Sequence, residues 1–232
     1  MDSENPQSII KARNLTRIYS LGDSNVVGVD RLDFEISAGE LVVLKGDSGS
    51  GKSTLLSLLA GLDRPTSGVL TVADHDLSTA TAVDLTHFRR EVVGMVFQSF
   101  NLMPTLNVLE NASLPGLLAG KPFGEIQSKA ADILGWLGLK SRLTHLPAQL
   151  SGGEMQRTAI ARALINDPAI ILADEPTGNL DSRNGQIVVE LLADLNHKWQ
   201  RTVIIATHST LADASATRKI SLRDGMIKSH GA

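Results

Sequence analysis

The sequence contains no cysteine, few aromatic residues and no long apolar run. Without cysteine, the chain of 232 residues forms neither disulfides nor thiolate metal sites, which is compatible with a reducing compartment. No segment reaches the ~18 consecutive apolar residues that a membrane-spanning helix needs. Residues 1–6 are polar and acidic rather than apolar, so we expect no signal peptide. The sequence therefore predicts a chain that neither crosses a membrane nor is exported.

The sequence also lacks a large excess of charge of either sign. Its 22 Lys and Arg residues against 25 Asp and Glu residues give a net charge of −3, so no overall basic field indicates nucleic acid as the main partner. Hydrophobic residues make up 42% of the chain, which is ordinary for a folded globular protein. The length fits one large domain, or one domain with a smaller lobe.

A glycine-rich segment directly follows the apolar run 41–44 and precedes the apolar run 55–60. It fits the pattern G-x-x-x-x-G-K-[ST], in which backbone N–H groups and a helix N-terminus surround a phosphate. Lys52 would pair with the outer phosphates, and the Ser53 hydroxyl would complete the shell of a Mg²⁺ ion. An ordinary glycine-rich turn explains neither residue. The segment predicts a triphosphate site made of Gly46, Asp47, Ser48, Gly49, Ser50, Gly51, Lys52, Ser53 and Thr54.

The hydrophobic patterns predict an α/β fold. Two alternating strands come first and suggest an antiparallel β layer, whereas the later apolar strands are typical of a buried, mainly parallel sheet flanked by helices. Strand patterns vanish between residues 99 and 150, which we interpret as an inserted helical lobe. The predicted strands cover residues 9–15, 31–37, 41–44, 69–72, 92–97, 169–173, 202–207, 219–222 and 226–228. The predicted helices cover residues 55–60, 81–90, 107–118, 123–137, 151–164 and 182–198.

Polar residues stand at the ends of three apolar strands. Asp174 and Glu175 follow the strand 169–173, and consecutive carboxylates there are costly unless a cation compensates them. Gln98 and His208 follow two other apolar strands. Because the carboxyl ends of strands in an open α/β sheet face the ligand crevice, these residues become candidates for a site.

Ser151 and Glu154 fit a capping box, and this accounts for their spacing at the start of a helix. It does not account for Gly152 and Gly153, which would expose the first N–H groups of the helix to an anion. Tyr19, the only tyrosine, lies between the first two predicted strands. Its pattern fits equally a residue at the rim of the sheet and an aromatic face stacked on a nucleotide base.

In their order along the chain, these segments resemble the conserved motifs of ABC ATPases. The Walker A motif corresponds to residues 46–53, the Q-loop to Gln98, the signature to 150–154, and the Walker B motif to 174–175, while the D-loop and H-loop correspond to 179–181 and His208. Segments 61–68, 97–104 and 173–181 are similar to the ATPases of lipoprotein-release, macrolide-export and antimicrobial-peptide-resistance transporters. One departure is Lys45-Gly46-Asp47, where that family more often has a small or apolar residue and a proline around the glycine.

The resemblance implies a role for each motif residue. Asp174 would hold Mg²⁺ through water, Glu175 would orient and deprotonate the attacking water, and Gln98 would touch the ion or the water. His208 would contact the γ-phosphate, and Tyr19 would stack on the base. The signature would close over the ATP of a second copy of the chain, so that two chains enclose two nucleotides. The residues expected on that second nucleotide are Ser151 and Gly153, and Gly152 and Asp181 are also expected to bind nucleotide.

The resemblance also implies the setting in which the chain works. We expect an ATP- and Mg²⁺-dependent homodimer on the cytoplasmic face of the inner membrane, beneath separate transmembrane subunits and without nucleic acid. The apolar loop 100–106 and the helical lobe would receive those subunits; packing beneath the lobe also explains the loop. A soluble ABC ATPase acting on DNA or ribosomes is the alternative, although such proteins usually add coiled coils, zinc modules or basic domains. A small-molecule P-loop kinase would not need the signature.

Overall fold

A computed structural model describes residues 7–22 and 24–228, so the polar segment 1–6 lies outside the described residues. The strands are β1 (Ser8–Leu21), β2 (Ser24–Ser37), β3 (Leu41–Lys45), β4 (Ser67–Val72), β5 (His75–Asp76), β6 (Val93–Val96), β7 (Ile170–Asp174), β8 (Thr202–Ala206), β9 (Arg218–Arg223) and β10 (Met226–Ile227). The helices are α1 (Lys52–Leu59), α2 (Ala82–Glu91), α3 (Val108–Leu118), α4 (Phe123–Trp136), α5 (Gly152–Leu164) and α6 (Ser182–His197). Among these described helices, none combines the length and apolar character that crossing a bilayer requires.

The first sheet is antiparallel, with strand order β2-β1-β4-β5. Strands β1 and β2 are longer than predicted and form one hairpin, because their backbones pair even where the side chains are exposed and do not alternate. Tyr19 therefore lies inside β1, opposite Val26 of β2, and not between two strands. This corrects the predicted position of Tyr19 and brings it onto the sheet beside the glycine-rich loop.

The second sheet has the order β10-β9-β3-β8-β7-β6. All neighbouring strands from β9 to β6 are parallel, and only β10 is antiparallel to its neighbour within this sheet. The carboxyl ends of β3, β8, β7 and β6 consequently meet at one edge, which is where a ligand crevice is expected. The predicted α/β fold, with a mainly parallel sheet and a separate antiparallel layer, is confirmed.

The parallel sheet separates two hydrophobic clusters, because successive side chains of a strand point to opposite faces. Val42 and Leu44 of β3 pack in the cluster that contains α1 and the antiparallel sheet. Leu41 and Val43 pack in the cluster that contains α5 and α6. Burying each such side chain contributes roughly 1.5–3 kcal/mol, so the two clusters fix the sheet between its covering layers.

Residues 99–150 are all described, and they contain α3, α4 and two short 3₁₀ turns but no strand. Their apolar side chains, such as Ala112 and Ile126, join the same cluster as α5 and α6. The rings of Trp136, at the end of α4, and Trp199, just after α6, have centroids 4.9 Å apart. The helical segment is thus attached to the sheet through α5 and through this pair of indole rings.

Candidate functional site

An open cleft of about 750 Å³ lies at the carboxyl edge of the parallel sheet, next to the β1–β2 hairpin. Residues 47–54 form one wall, and Tyr19 contributes from β1. Gln98, Glu175 and His208 reach the cleft from the segments after β6, β7 and β8. The topology therefore brings together residues that the sequence places far apart.

The loop between β3 and α1 needs glycine at two positions. Gly46 has φ 158° and Gly51 has φ 100°, and both conformations are strained for residues with a side chain. A Cβ atom at Gly46 would lie 2.4 Å from the carbonyl oxygen of Leu222, and one at Gly51 would lie 2.3 Å from that of Gly28. The loop thus packs against β9 and β2, with no room for a side chain at these two positions. This packing sets the shape of the loop before any ligand binds.

The N-terminus of α1 is built to receive negative charge. Gly51 is its N-cap and offers no side-chain hydrogen bond, and the first turn holds no acidic residue. Lys52 is only 7% exposed, and its Nζ donates to the carbonyl oxygens of Gly46 at 2.7 Å and Asp47 at 3.0 Å. A buried ammonium beside the positive end of a helix dipole creates a strong local preference for an anion.

Ser53, which lines the cleft, and Asp174, which it contacts, form a pair of oxygen ligands for a cation. The Ser53 hydroxyl donates to Oδ1 of Asp174 at 3.1 Å. Burial raises the pKa of Asp174 above its ordinary value; the Ser53 hydrogen bond opposes this, the charge of Glu175 adds to it, and Lys52 opposes it. A divalent cation would relieve the cost of this buried carboxylate, and Mg²⁺ prefers such oxygen ligands. The donor set fits the Mg²⁺ ion that the sequence predicts.

Glu175 is held by the segment that follows β8. Its Oε2 accepts a hydrogen bond from the Thr207 hydroxyl at 3.0 Å, and its Oε1 lies 3.0 Å from Nδ1 of His208 and 3.2 Å from its backbone N–H. Glu175 itself has φ 43°, an uncommon conformation for a residue with a side chain. The turn at the end of β7 therefore directs this carboxylate sideways toward β8, where it is 15% exposed at the cleft.

Gln98 packs against the segment that follows Glu175. The side-chain amide of Asn179 donates to the backbone carbonyl oxygen of Gln98 at 3.0 Å. A Cβ atom at Gly178 would lie 2.7 Å from Nε2 of Gln98, so glycine there permits the close approach. The end of β6 and the loop after β7 are thereby coupled, and Gln98 is placed at the cleft beside Glu175.

The side chain of Lys45, the departure from the family pattern, points away from the glycine-rich loop. Its Nζ lies 2.6 Å from Oδ1 of Asp213 and also donates to the carbonyl of Ser209. Both partners belong to the segment after His208. Lys45 therefore braces the loop that carries His208, a role that the local sequence did not indicate.

The signature residues do not line this cleft. Ser151 caps α5: its Oγ accepts from the N–H of Glu154 at 3.3 Å, and Oε2 of Glu154 accepts from the Ser151 N–H at 2.8 Å. Gly153 is buried against α6, and a Cβ atom there would lie 2.2 Å from Oδ1 of Asn184. Asp181 caps α6 by accepting from the N–H of Asn184 at 2.9 Å. Within one chain, the cleft is therefore lined by none of Ser151, Gly152, Gly153 and Asp181, although Asp181 borders a smaller pocket that Glu175 and His208 also line.

Two residues near Tyr19 were not predicted from the sequence. The Tyr19 hydroxyl donates to Oδ2 of Asp63 at 2.8 Å, and Nε of Arg17 donates to the same oxygen at 2.8 Å. Asp63 lies in segment 61–68, which carries part of the family resemblance, but no local pattern indicates that its partner is a distant tyrosine.

The ABC transporter family model matches residues 29–178. The lipoprotein-releasing system ATP-binding protein LolD of Cytophaga hutchinsonii is 42% identical over 222 residues, which cover 95% of this chain and 99% of that protein. The macrolide export ATP-binding/permease protein MacB of Rhodopseudomonas palustris is 46% identical over 220 residues. This match covers 95% of the chain but 34% of that protein, so the chain spans about a third of its length.

A solved structure agrees with these relationships. The dimeric structure of a post-hydrolysis state of the ATP-binding cassette MJ0796, bound to ADP and Pi, aligns with a TM-score of 0.88 and 38% identity. The alignment covers 96% of this chain and 100% of that one. The family match, the relatives and the shared fold confirm the resemblance stated from the motifs. The chain belongs to the ABC transporter family and is an ATP hydrolase of that family.

Proposed function

We propose that this chain is the ATP-hydrolysing subunit of a transporter of the lipoprotein-release or export type, and that two copies enclose two Mg-ATP. The observation that carries the proposal is the arrangement of one chain: Lys52, Glu175 and His208 line one cleft, Asp174 accepts from Ser53 of that cleft, and Ser151 is not among the residues that line it. A signature that serves catalysis from there needs a second chain. The dimer of the MJ0796 cassette supports this reading.

Each residue of the cleft has its own role in this proposal. Lys52 and the first N–H groups of α1 bind the phosphates, because they present fixed positive charge without further reorganisation. Asp174 and Ser53 would hold Mg²⁺, which neutralises charge on the phosphates. Glu175 positions and deprotonates the attacking water, since Thr207 and the backbone N–H of His208 hold its carboxylate in place. His208 stands at the same edge to contact the outer phosphate.

We propose a division of the chain to match this function. Residues 1–98 and 151–232 form the catalytic core, and residues 99–150 form a helical subdomain. An apolar groove of about 450 Å³ runs between α2, β6 and the helical segment, and Phe97, Asn101 and Leu118 line it. We propose this groove, together with loop 100–106, as the contact with separate transmembrane subunits at the inner face of the membrane. The similarity to LolD, an ATP-binding protein of a lipoprotein-releasing system, and to MacB, an ATP-binding/permease protein, supports a membrane partner.

The variant Glu175→Gln tests the dimer. It keeps the size of the side chain and should lower hydrolysis by roughly 10²–10⁴-fold, the usual cost of losing a general base. Because nucleotide binding survives, the variant should accumulate as a closed dimer with Mg-ATP in size-exclusion chromatography with light scattering. Glu190→Gln, an exposed residue of α6, is the matched control.

Hydrolysis by Glu175→Gln at the parental rate would remove Glu175 from the catalytic role. A variant that stays monomeric at saturating Mg-ATP would contradict dimerisation by the chain alone. The membrane partner is tested by purifying the tagged chain from solubilised membranes: recovery without any integral membrane protein would contradict that part of the proposal.

A further inference from the structure

Tyr19 is held at three points around its ring. The guanidinium carbon of Arg17 lies 4.5 Å from the ring centroid, over one face. The hydroxyl donates to Oδ2 of Asp63 at 2.8 Å. One ring edge lies so close to Gly28 that a Cβ atom there would be 2.9 Å from Cε2 of Tyr19. The ring can therefore neither tilt nor slide freely, although it belongs to an exposed part of the hairpin.

Asp63 connects the ring to the turn after α1. Its Oδ2 accepts from both Arg17 and Tyr19, while its Oδ1 accepts from the backbone N–H of Arg64 at 2.7 Å. The side chains of Arg17 and Asp63 are only 25% and 22% exposed. Partly buried cation–π contacts and charged hydrogen bonds of this kind are stronger than fully exposed ones. Strand β1 and the turn that ends the phosphate-binding helix are thus joined through one carboxylate.

Arg17 leaves a single ring face for a ligand. Of the two faces of Tyr19, the guanidinium occupies one, so a flat partner in the cleft has access to the other alone. The next residues along this wall, Val26, Val27 and Gly28, carry no side-chain hydrogen-bonding group. A base bound here depends on stacking and apolar contact, and stacking depends on the orientation of the ring.

We infer that Arg17 and Asp63 are positioning residues that hold Tyr19 as a one-faced stacking platform for the nucleotide base. This inference rests on the proposed function, because it takes the ligand of the cleft to be ATP. Stacking of the base on Tyr19 is what the family resemblance implies, and the inference adds the residues that fix the orientation of the ring. Arg17 and Asp63 should therefore matter for ligands that carry a base and not for a bare triphosphate.

Comparing ATP with inorganic tripolyphosphate, both with Mg²⁺, isolates this effect. Isothermal titration calorimetry on the full chain would measure both affinities for Arg17→Met, Asp63→Asn and Tyr19→Ala. We expect Tyr19→Ala to weaken ATP binding about 10–100-fold, the range for one lost base–aromatic stack. Arg17→Met and Asp63→Asn should weaken it about 3–10-fold, because the ring remains but is free to move. Tripolyphosphate affinity should stay within about twofold of the parent in all three.

Conservative variants separate positioning from a general structural role. Arg17→Lys keeps a cation over the ring and should restore most of the ATP affinity lost in Arg17→Met. Tyr19→Phe removes only the hydroxyl, so its effect and that of Asp63→Asn should not add in the double variant. These variants also keep the test usable if Arg17→Met or Asp63→Asn fails to fold.

The outcomes are distinguishable. If Tyr19→Ala lowers ATP affinity but Arg17→Met and Asp63→Asn do not, the platform is overturned while base stacking by Tyr19 stands. Equal losses for ATP and tripolyphosphate would reduce Arg17 and Asp63 to structural residues and overturn the inference. If Tyr19→Ala changes neither affinity, stacking itself is wrong and the platform falls with it. Loss of both affinities in Lys52→Ala, measured alongside, reports on the phosphate site of the proposed function alone.

Discussion

Helices α1 and α5 both begin beside glycine residues, but they differ in their N-cap residue and in the charge of their first turn. In α1 the N-cap is Gly51, no side chain caps the helix, and no acidic residue stands in the first turn. In α5 the N-cap is Ser151, and Glu154 completes a capping box with it. The carboxylate of Glu154 thus supplies α5 with an internal anion, whereas α1 leaves its N-terminus for a ligand.

The electrostatics of the two helix starts differ accordingly. The backbone N–H of Ser151 is the main influence that lowers the pKa of Glu154, to about 2; burial opposes the shift, while Arg142 and the Ser151 hydroxyl add to it. At α1 the carboxylate of Asp174, which accepts from Ser53, has its pKa raised by burial instead. A glycine-rich helix start is therefore an anion site only where its neighbours leave the charge uncompensated. At α5 the charge is compensated by Glu154, and contact of the signature with a partner's nucleotide remains part of the proposed function.

Among variants of these two helix starts, the largest effect is expected from Ser151→Arg. Its bulky side chain would block closure on a partner's nucleotide and remove a donor to the transferred phosphate, which typically costs 10²–10³-fold in rate. ATP binding by the monomer should stay at the parental level, because Ser151 lies outside the cleft. Steady-state hydrolysis and equilibrium ATP binding measure both, with Ser128→Arg on the exposed face of α4 as control. Parental hydrolysis by Ser151→Arg would contradict the trans role of the signature.

A smaller effect is expected from Lys52→Ala, on binding rather than on the rate alone. Removing one charged donor to phosphate costs roughly 1.5–3 kcal/mol, or about 10–150-fold in ATP affinity. Lys140→Ala, at an exposed position of the helical segment, is the control. Binding of labelled ATP gives the comparison. An affinity for Lys52→Ala within about threefold of the parent would show that Lys52 is not a main phosphate ligand.

Glu154→Gln should lower the free energy of unfolding at neutral pH by about 1–2 kcal/mol, since it weakens the capping box and the contact with Arg142. The pKa of Glu154 is depressed from 4.5 to about 2 in the folded chain. Its stabilising contribution is therefore complete above about pH 4.5 and is lost as the pH falls toward 2.

Urea unfolding of the parent and Glu154→Gln from pH 7 downward tests this sign. The difference between them should shrink once the pH passes below the ordinary pKa of a glutamate. Glu125→Gln, at an exposed position in the first turn of α4, is the control. A difference that stays constant or grows in acid would contradict the assignment of Glu154 as the internal anion.

The smallest expected effect is the difference in stability between variants of the two glycines of α5. Gly153→Ala should destabilise the fold by about 1 kcal/mol, because its Cβ would lie 2.2 Å from Oδ1 of Asn184 and force that side chain to move. Gly152→Ala meets nothing closer than Leu180 Cδ2 at 3.3 Å and should be neutral or slightly stabilising, since alanine favours helix. Thermal unfolding of the pair measures the contrast. Equal destabilisation by the two substitutions would mean that backbone flexibility at the start of α5, and not packing against Asn184, explains the two glycines.

Much of this contrast was visible in the sequence. The glycine-rich loop and its flanking apolar runs identify α1, and the strand ends identify Gln98, Glu175 and His208 as neighbours, because parallel strands end at one edge. The box formed by Ser151 and Glu154 was also predicted. These inferences succeed because each depends on local spacing plus one general rule of sheet topology.

The sequence could not show what depends on long-range packing. The hairpin of β1 and β2 exceeds its predicted strands because backbone pairing, not alternation, stabilises its exposed end, where Val26 is 48% exposed. The contact of Gly153 with α6 and the bond between Tyr19 and Asp63 join segments that no local pattern relates. The nucleotide-binding role of 151–153 remains a prediction for the same reason, since it needs a second chain.

The contact between Trp136 and Trp199 gives the protein an optical reporter. These are the chain's only two tryptophans, and their rings join the end of α4 to the segment after α6. Selective excitation of tryptophan therefore observes this one junction. A fluorescence change on adding nucleotide to the unlabelled chain would record movement of the helical segment against the sheet in real time, without an attached dye.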